Sequence, residues 1–170
     1  MKIKYILIGL ILLFLIVIVV AMYVLNSKKV EVFDFKYFEF GYSNGYAMNA
    51  NVNYRVDCSD KCIAKIKLDG ASDEEKVEVE LSDKEVNELI NILKKYEINK
   101  WNGFKKSDKY VMDGDSFHLY LKLKNDDYIS ASGYMKWPNN YSNVRSELDS
   151  FFNKLIKWFT LKIKYLYFWL

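Results

Sequence analysis

The longest unbroken pattern in the chain comes first. From Tyr5 to Leu25 it reads YILIGLILLFLIVIVVAMYVL, with no charged residue and Gly9 as its one glycine. Wound as a helix, a run of this length spans about 31 Å, close to a hydrocarbon core of about 30 Å. A helix satisfies its own backbone groups inside lipid, so residues 1–29 are expected to form a single-pass, uncleaved membrane anchor. A secretory signal peptide shares the basic start, Lys2 and Lys4, but has an apolar core of about 7–15 residues and a small-residue cleavage site. Here the run is longer, and its weak small-x-small match, Val19-Val20-Ala21, lies inside the apolar stretch. Lys2 and Lys4 on one flank and Lys28 and Lys29 on the other tie the positive-inside count. Insertion in the manner of an uncleaved signal would leave residues 30–170 outside the cytoplasm, and that is the expected orientation.

After residue 30 the period falls to two. In residues 31–40, Phe33, Phe35 and Tyr37 share one side of an extended strand, and Gly41 to Gly45 reads as a turn. Tyr46, Met48, Ala50, Val52, Tyr54 and Val56 then alternate with Asn49, Asn51, Asn53 and Arg55, the mark of a half-buried strand. Ala64, Ile66 and Leu68 follow a cysteine-bearing turn, and Val77, Val79 and Leu81 follow a polar loop. Four strands with short connections predict an antiparallel meander.

The period then lengthens to 3.6. Ser82 and Glu85 form a capping box, and Val86, Leu89, Ile90 and Leu93 make the stripe of a helix reaching about Tyr96. Residues 98–115 read as a long loop turning at Gly103 and Gly114. Phe117, Leu119, Leu121 and Leu123 predict a fifth strand, and Ile129, Ala131, Gly133 and Met135 a sixth, ended by Pro138-Asn139-Asn140. Val144, Leu148, Phe151, Phe152, Leu155 and Phe159 predict a last helix. The expected fold is α+β, in the order β4-α-β2-α, with helices on one face of an antiparallel sheet over residues 30–160. The tail, residues 161–170, pairs Lys162 and Lys164 with Tyr165, Tyr167 and Trp169. It suits either a lipid headgroup layer or an extension of the last helix into the core.

Charge sharpens the picture. Residues 1–30 hold four lysines and no acid, and residues 151–170 hold four more lysines. All 22 acids fall between, with 17 basic residues, so the middle of the chain is acidic. That argues against nucleic acid, which needs a basic face, and the basic, apolar ends point to lipid. Arginine occurs only at Arg55 and Arg145 amid abundant lysine, asparagine and isoleucine, the usage of an AT-rich bacterial genome.

Candidate chemistry is sparse. Cys58 and Cys62, in C-S-D-K-C, suit a disulfide across a turn or two free thiols; a zinc site would need about four ligands. His118, the one histidine, alternates with Phe117 and Leu119 and so faces outward, with no orienting carboxylate or nucleophile at a telling spacing. Asp108, Asp113 and Asp115 share a loop but lack the EF-hand pattern, so turn chemistry explains them. Trp101 and Phe104 flank Asn102-Gly103 and form either a hydrophobic plug beneath the loop or an aromatic platform for glycan or peptide, which Trp137, Tyr141 and Tyr134 join if both loops sit at one end of the sheet. No cofactor or metal motif is present in the sequence.

Between Leu81 and Leu155 the chain resembles an uncharacterised family of small bacterial envelope proteins. The residues that carry the likeness are Trp101-Asn102-Gly103-Phe104, Asp113-Gly114-Asp115-Ser116-Phe117 and Gly133 through Pro138-Asn139-Asn140-Tyr141. It covers about half of the chain and implies a fold but no activity, and the aromatic-basic tail departs from it. The expectation is a noncatalytic, membrane-anchored cell-envelope domain. Its partners would be the bilayer and either another envelope protein or a cell-wall polymer. Two alternatives stand beside it. One is a wall-acting enzyme, which needs Asp113 or Asp115 to converge with Glu147 or Asp149. The other is an inhibitor or immunity-type protein whose acidic middle meets a basic partner.

Overall fold

The computed structural model describes residues 13–17, 34–45, 51–68, 70–71 and 76–168. Of the apolar run, Leu13 to Val17 are helical and exposed. The remainder, with Tyr5, Gly9 and Leu25, lies outside the described residues. Among the described residues no helix is long and apolar enough to cross a membrane.

Among the described residues seven strands form one sheet: β1 (Phe35–Ser43), β2 (Asn51–Asp57), β3 (Ile63–Lys67), β4 (Val77–Glu80), β5 (Lys105–Ser107), β6 (Ser116–Leu123) and β7 (Tyr128–Tyr134). Their spatial order is β4-β3-β2-β1-β6-β7-β5. The meander expected from β1 to β4 is present, each strand antiparallel to the next. Among the described residues two helices pack against the sheet, α1 (Asp83–Lys95) and α2 (Tyr141–Phe168). α1 begins at the capping box read from the sequence: the Ser82 hydroxyl accepts from the Glu85 amide, and the Glu85 carboxylate accepts from the Ser82 amide at 2.7 Å. Both helices cover the same side of the sheet. Leu89 and Leu93 of α1 and Leu148 and Phe152 of α2 close a core with Phe38, Phe40, Tyr54 and Leu121. Tyr54 and Phe152 stack at 4.2 Å.

Four local expectations are corrected. Tyr37 does not share the inward side with Phe35. Pairing with β6 slips between Phe35↔Leu123 and Tyr37↔Lys122, so two residues of β1 advance against one of β6. This bulge turns Phe35, Phe38 and Phe40 inward and Tyr37 outward. Gly41 is no turn residue: β1 runs through it to Ser43, because its backbone pairs with Asn53 on one side and His118 on the other. The sheet is mixed rather than antiparallel. The stretch read as a long loop contains a 3₁₀ turn, Ile98–Trp101, and then β5, which lies parallel to β7. Hydrogen bonds from Gly103 N to Ser130 O and from Ser132 N to Phe104 O draw it onto that edge. Finally, Met135 leaves the strand at φ 52°, its amide donating to Asp115 O.

Tyr46, Met48 and Ala50 lie outside the described residues, and Asn51 to Val56 keep the alternation read for them. α2 continues past residue 160 to Phe168, so Lys162, Lys164, Tyr165 and Tyr167 fall within a helix. Trp169 lies outside the described residues. Cys58 and Cys62 form a disulfide across the β2–β3 turn.

Candidate binding face

The aromatic loops nominated from the sequence do meet, at one end of the sheet, but around a buried ring. Trp101, Phe104, Trp137 and Tyr141 lie 5.9, 6.1, 5.7 and 4.9 Å from Phe117, which β6 points into the core. Trp101 is 3% exposed and Tyr141 6%. The indole of Trp101 donates to Asn139 O at 3.0 Å, which satisfies its one polar atom inside the plug. Trp137 alone of the four reaches solvent broadly, stacked on Tyr141 at 4.5 Å. Trp101 and Tyr141 are therefore core. Gly133, opposite Phe117, is required there: a Cβ would stand 2.5 Å from the Phe117 ring and 2.0 Å from Lys136 O. Tyr134 closes the 108–115 segment instead, accepting from Gly114 N and donating to Met112 O.

Of the carboxylates considered for catalysis, Glu147 and Asp149 turn to different partners. Asp149 turns toward the sheet and accepts from the hydroxyls of Tyr42 (2.9 Å) and Tyr54 (2.8 Å). Burial first, then the bond to Asp149, pushes both phenols upward. Glu147 turns toward α1, where Lys95 and the Tyr96 hydroxyl donate to it and hold its carboxyl below the usual range. Asp108 accepts from Tyr110 N and pairs with Lys136. Among the described residues no three potential metal ligands come together.

A different set converges on the side of the sheet away from the helices. The register of β1 sets Glu39 beside Arg55 of β2 and Tyr120 of β6, and Gly41 beside Asn53 and His118. Gly41 lacks the Cβ that would lie 2.3 Å from the imidazole, so the His118 ring can lie over β1. Glu39 is the hub. It accepts from Tyr37 Oη at 2.8 Å, Arg55 Nε at 2.9 Å and Asn53 Nδ2 at 3.0 Å, with His118 Nε2 at 3.4 Å. Burial acts to raise its carboxyl, but the bonds from Asn53, Tyr37 and Arg55 and the Arg55 charge outweigh this and hold it at about 2. Tyr37 is pushed up to about 12, by burial and then by Glu39. The carboxylate is thus a fixed anchor, fully occupied by donors, rather than a proton acceptor near neutral pH. His118 has the carboxylate neighbour that its local sequence lacks, supplied from 79 positions away.

Beside this hub, Tyr37, Tyr120 and Tyr128 form a stripe across β1, β6 and β7, with ring centroids 6.0 and 6.3 Å apart. Tyr128 is 58% exposed. On the other side of the hub, Ser43, Asn53, Arg55, Lys67, Ser116 and His118 line much of a cleft of about 300 Å³. The Ser43 and Ser116 hydroxyls bond each other at 2.6 Å. One signal for this face was present in the sequence: Asn51 and Asn53 alternate on β2, and asparagine is normally depleted in strands.

The Glu39 hub makes a pH prediction. Its carboxyl lies at about 2 in the fold against an ordinary 4.5, so its contribution is complete above 4.5 and is lost as pH falls through 2. After allowance for solvent screening on this open face, that contribution is on the order of 2 kcal/mol. Glu39→Gln should flatten this part of the acid limb of a stability-against-pH curve measured by urea melts. An unchanged limb would place the carboxylate in solvent.

A scan against protein-family models finds no match for this chain, and a search of curated proteins finds no significant match.

Proposed function

We propose that this chain is a noncatalytic, membrane-anchored cell-envelope domain that binds a cell-wall glycan on the helix-free face of its sheet. The observation that carries the reading is the tyrosine stripe set beside a pre-organised polar hub. Tyr120 and Tyr128 offer flat apolar faces to sugar rings. Asn53, Arg55 and His118, held around Glu39, offer hydrogen bonds whose geometry does not have to be ordered on binding. The stripe crosses three strands, which suits an extended polymer better than a compact ligand.

Anchorage rests on the Tyr5–Leu25 run, whose composition and length suit a bilayer span. The tail, Lys162 to Trp169, would meet the headgroup layer of the same membrane; the continuation of α2 to Phe168 and the exposure of Trp158 support it. The Cys58–Cys62 disulfide suits an oxidising, extracytoplasmic compartment. In intact cells both thiols should resist alkylation until a reductant is added, and labelling of untreated cells would argue for the cytoplasm.

The binding test is sedimentation of the full chain, in detergent, with purified wall glycan. Tyr120→Ala with Tyr128→Ala should lower the apparent affinity by about tenfold or more, since aromatic anchors dominate such surfaces at about 1–2 kcal/mol apiece. Both rings are exposed, so the fold should tolerate their loss. Equal sedimentation of wild type and variant would remove the stripe from the binding surface.

A further inference from the structure

The sheet ends on one side at β5, and among the described residues nothing pairs with the outer edge of that strand. All of β5 is exposed. Phe104 O and Asp108 N bond to β7, so the alternation of a parallel ladder turns the N–H and C=O of Lys105 and Ser107 to the free side. Lysines flank this row on both faces. Lys105, opposite Ser132, stands on the helix-free face. Lys106, opposite Gly133, stands on the other, its ammonium 5.3 Å from the centre of the Phe104 ring. Lys109 follows just past the strand. Among the described residues none of these three lysines forms an ion pair. Asp108 beside them is taken by Lys136 and by the Tyr110 amide. Asp113 and Asp115 lead into β6, which β7 separates from β5.

Lysines on an edge strand can serve simply to keep other strands away. That role does not account for what lies beyond the strand. Tyr110 is 97% exposed and Met112 94%. Their backbone is nonetheless tethered. Tyr110 N donates to the Asp108 carboxylate at 3.1 Å, and the Tyr134 hydroxyl donates to Met112 O at 2.7 Å while accepting from Gly114 N at 2.8 Å. The ion pair of Asp108 with Lys136 ties the same turn to the end of β7. Tyrosine and methionine are among the side chains enriched where proteins meet, and here both are held out in water from a fixed loop next to an open edge.

We infer that β5 is a docking strand for an extended acidic segment of a partner protein, which adds to the sheet along this edge. Backbone bonds to Lys105 and Ser107 hold the segment, and carboxylates alternating along it meet Lys105 on one face and Lys106 on the other. Lys109, Tyr110 and Met112 take the residues beyond the strand's end. A second copy of this chain does not supply such a segment. β5 against β5 sets lysine opposite lysine, and β4, the other edge, has Glu78 and Glu80 engaged by Lys65 and Lys61. The docking edge meets β7 from Ser132 to Tyr134, away from Tyr128, and works independently of glycan binding.

The test is photo-crosslinking of the full chain in the membranes of its own cells, with p-benzoylphenylalanine in place of Tyr110 and the joined peptides read by mass spectrometry. The substitution keeps an aromatic ring at an exposed position. The expected product joins residue 110 to one partner segment rich in aspartate or glutamate. Ser107→Pro removes an outward N–H while Lys106 and Asp108 keep the pairing with β7, and it should cut the yield by about fivefold or more. Lys105→Glu with Lys109→Glu changes only exposed side chains and should cut it by about threefold or more. The charge variant decides the matter should a thermal melt show that the proline variant folds poorly. Joining to a second copy, to lipid or to glycan would overturn the inference. So would a partner segment without acidic residues, a yield that neither a folded proline variant nor the charge variant lowers, or no joined protein at all.

Discussion

Phe152→Ala should destabilise the domain by about 4 kcal/mol, the range for deleting a fully buried aromatic side chain. Phe152 has no exposed surface and lies between sheet and helix layers, stacked on Tyr54 at 4.2 Å and on Phe38 at 6.4 Å, with Phe151 edge-on at 5.0 Å. Its removal leaves a hole that neighbours on a rigid sheet cannot fill, so lost transfer energy and cavity cost add. For a domain of this size the melting temperature should drop by roughly 10–15 °C. Phe152→Leu, which keeps most of the volume, should recover more than half of the loss. A thermal melt within about 3 °C of wild type for the alanine variant would mean that α2 is not docked through this ring.

Asp149→Ala comes next, at about 3 kcal/mol. The carboxylate receives two phenols, and the residue that carries one of them, Tyr54, is 1% exposed. Arg145 completes the cluster, its guanidinium 3.8 Å from the centre of the Tyr42 ring and its Nε 3.8 Å from Asp149 Oδ2. Truncation to alanine removes charge-assisted bonds and strands the Tyr54 hydroxyl away from water, the costlier half of the change. Asp149→Asn keeps an acceptor and should cost about half as much. Tyr54→Phe removes donor and need together and should also cost less than the alanine variant. Urea denaturation of the three variants gives the order directly. If Asp149→Ala proved the mildest of them, water would be reaching the phenols.

The two residues illustrate how unevenly the chain can be read. Phe152 was recoverable from its place in the 3.6-residue stripe with Val144, Leu148 and Leu155, since a helix face is set by spacing alone. Asp149 was not. Its spacing marks a polar position on a helix, and nothing local indicates that two tyrosines 95 and 107 positions earlier would point their hydroxyls at it. The same division runs through the open face. Alternation correctly turned Asn53 and His118 outward, but the hub between them required Glu39, which a bulge in β1 helped to place on that side. Reading β1 with an unbroken period of two from Phe33 put Tyr37 on the wrong face, because a bulge depends on the partner strand and leaves no periodic trace. Trp101 and Tyr141 are legible as members of two aromatic loops; that the loops meet, and that both rings pack on Phe117, follows from three chain segments coming together at one end of the sheet.

What the amino-acid order determined by itself was local: the apolar run of membrane-spanning length, the strand and helix periods, the capping box at Ser82, the class of fold and an acidic middle between basic ends. Each depends on side chains a few positions apart, where backbone geometry permits few alternatives. What only the tertiary structure decided was company: which carboxylate meets His118, which cations share a cleft, which aromatic rings are core and which face water. Those pairings follow from strand register and layer packing across tens of residues, and a residue's own neighbours in the chain carry almost no information about them.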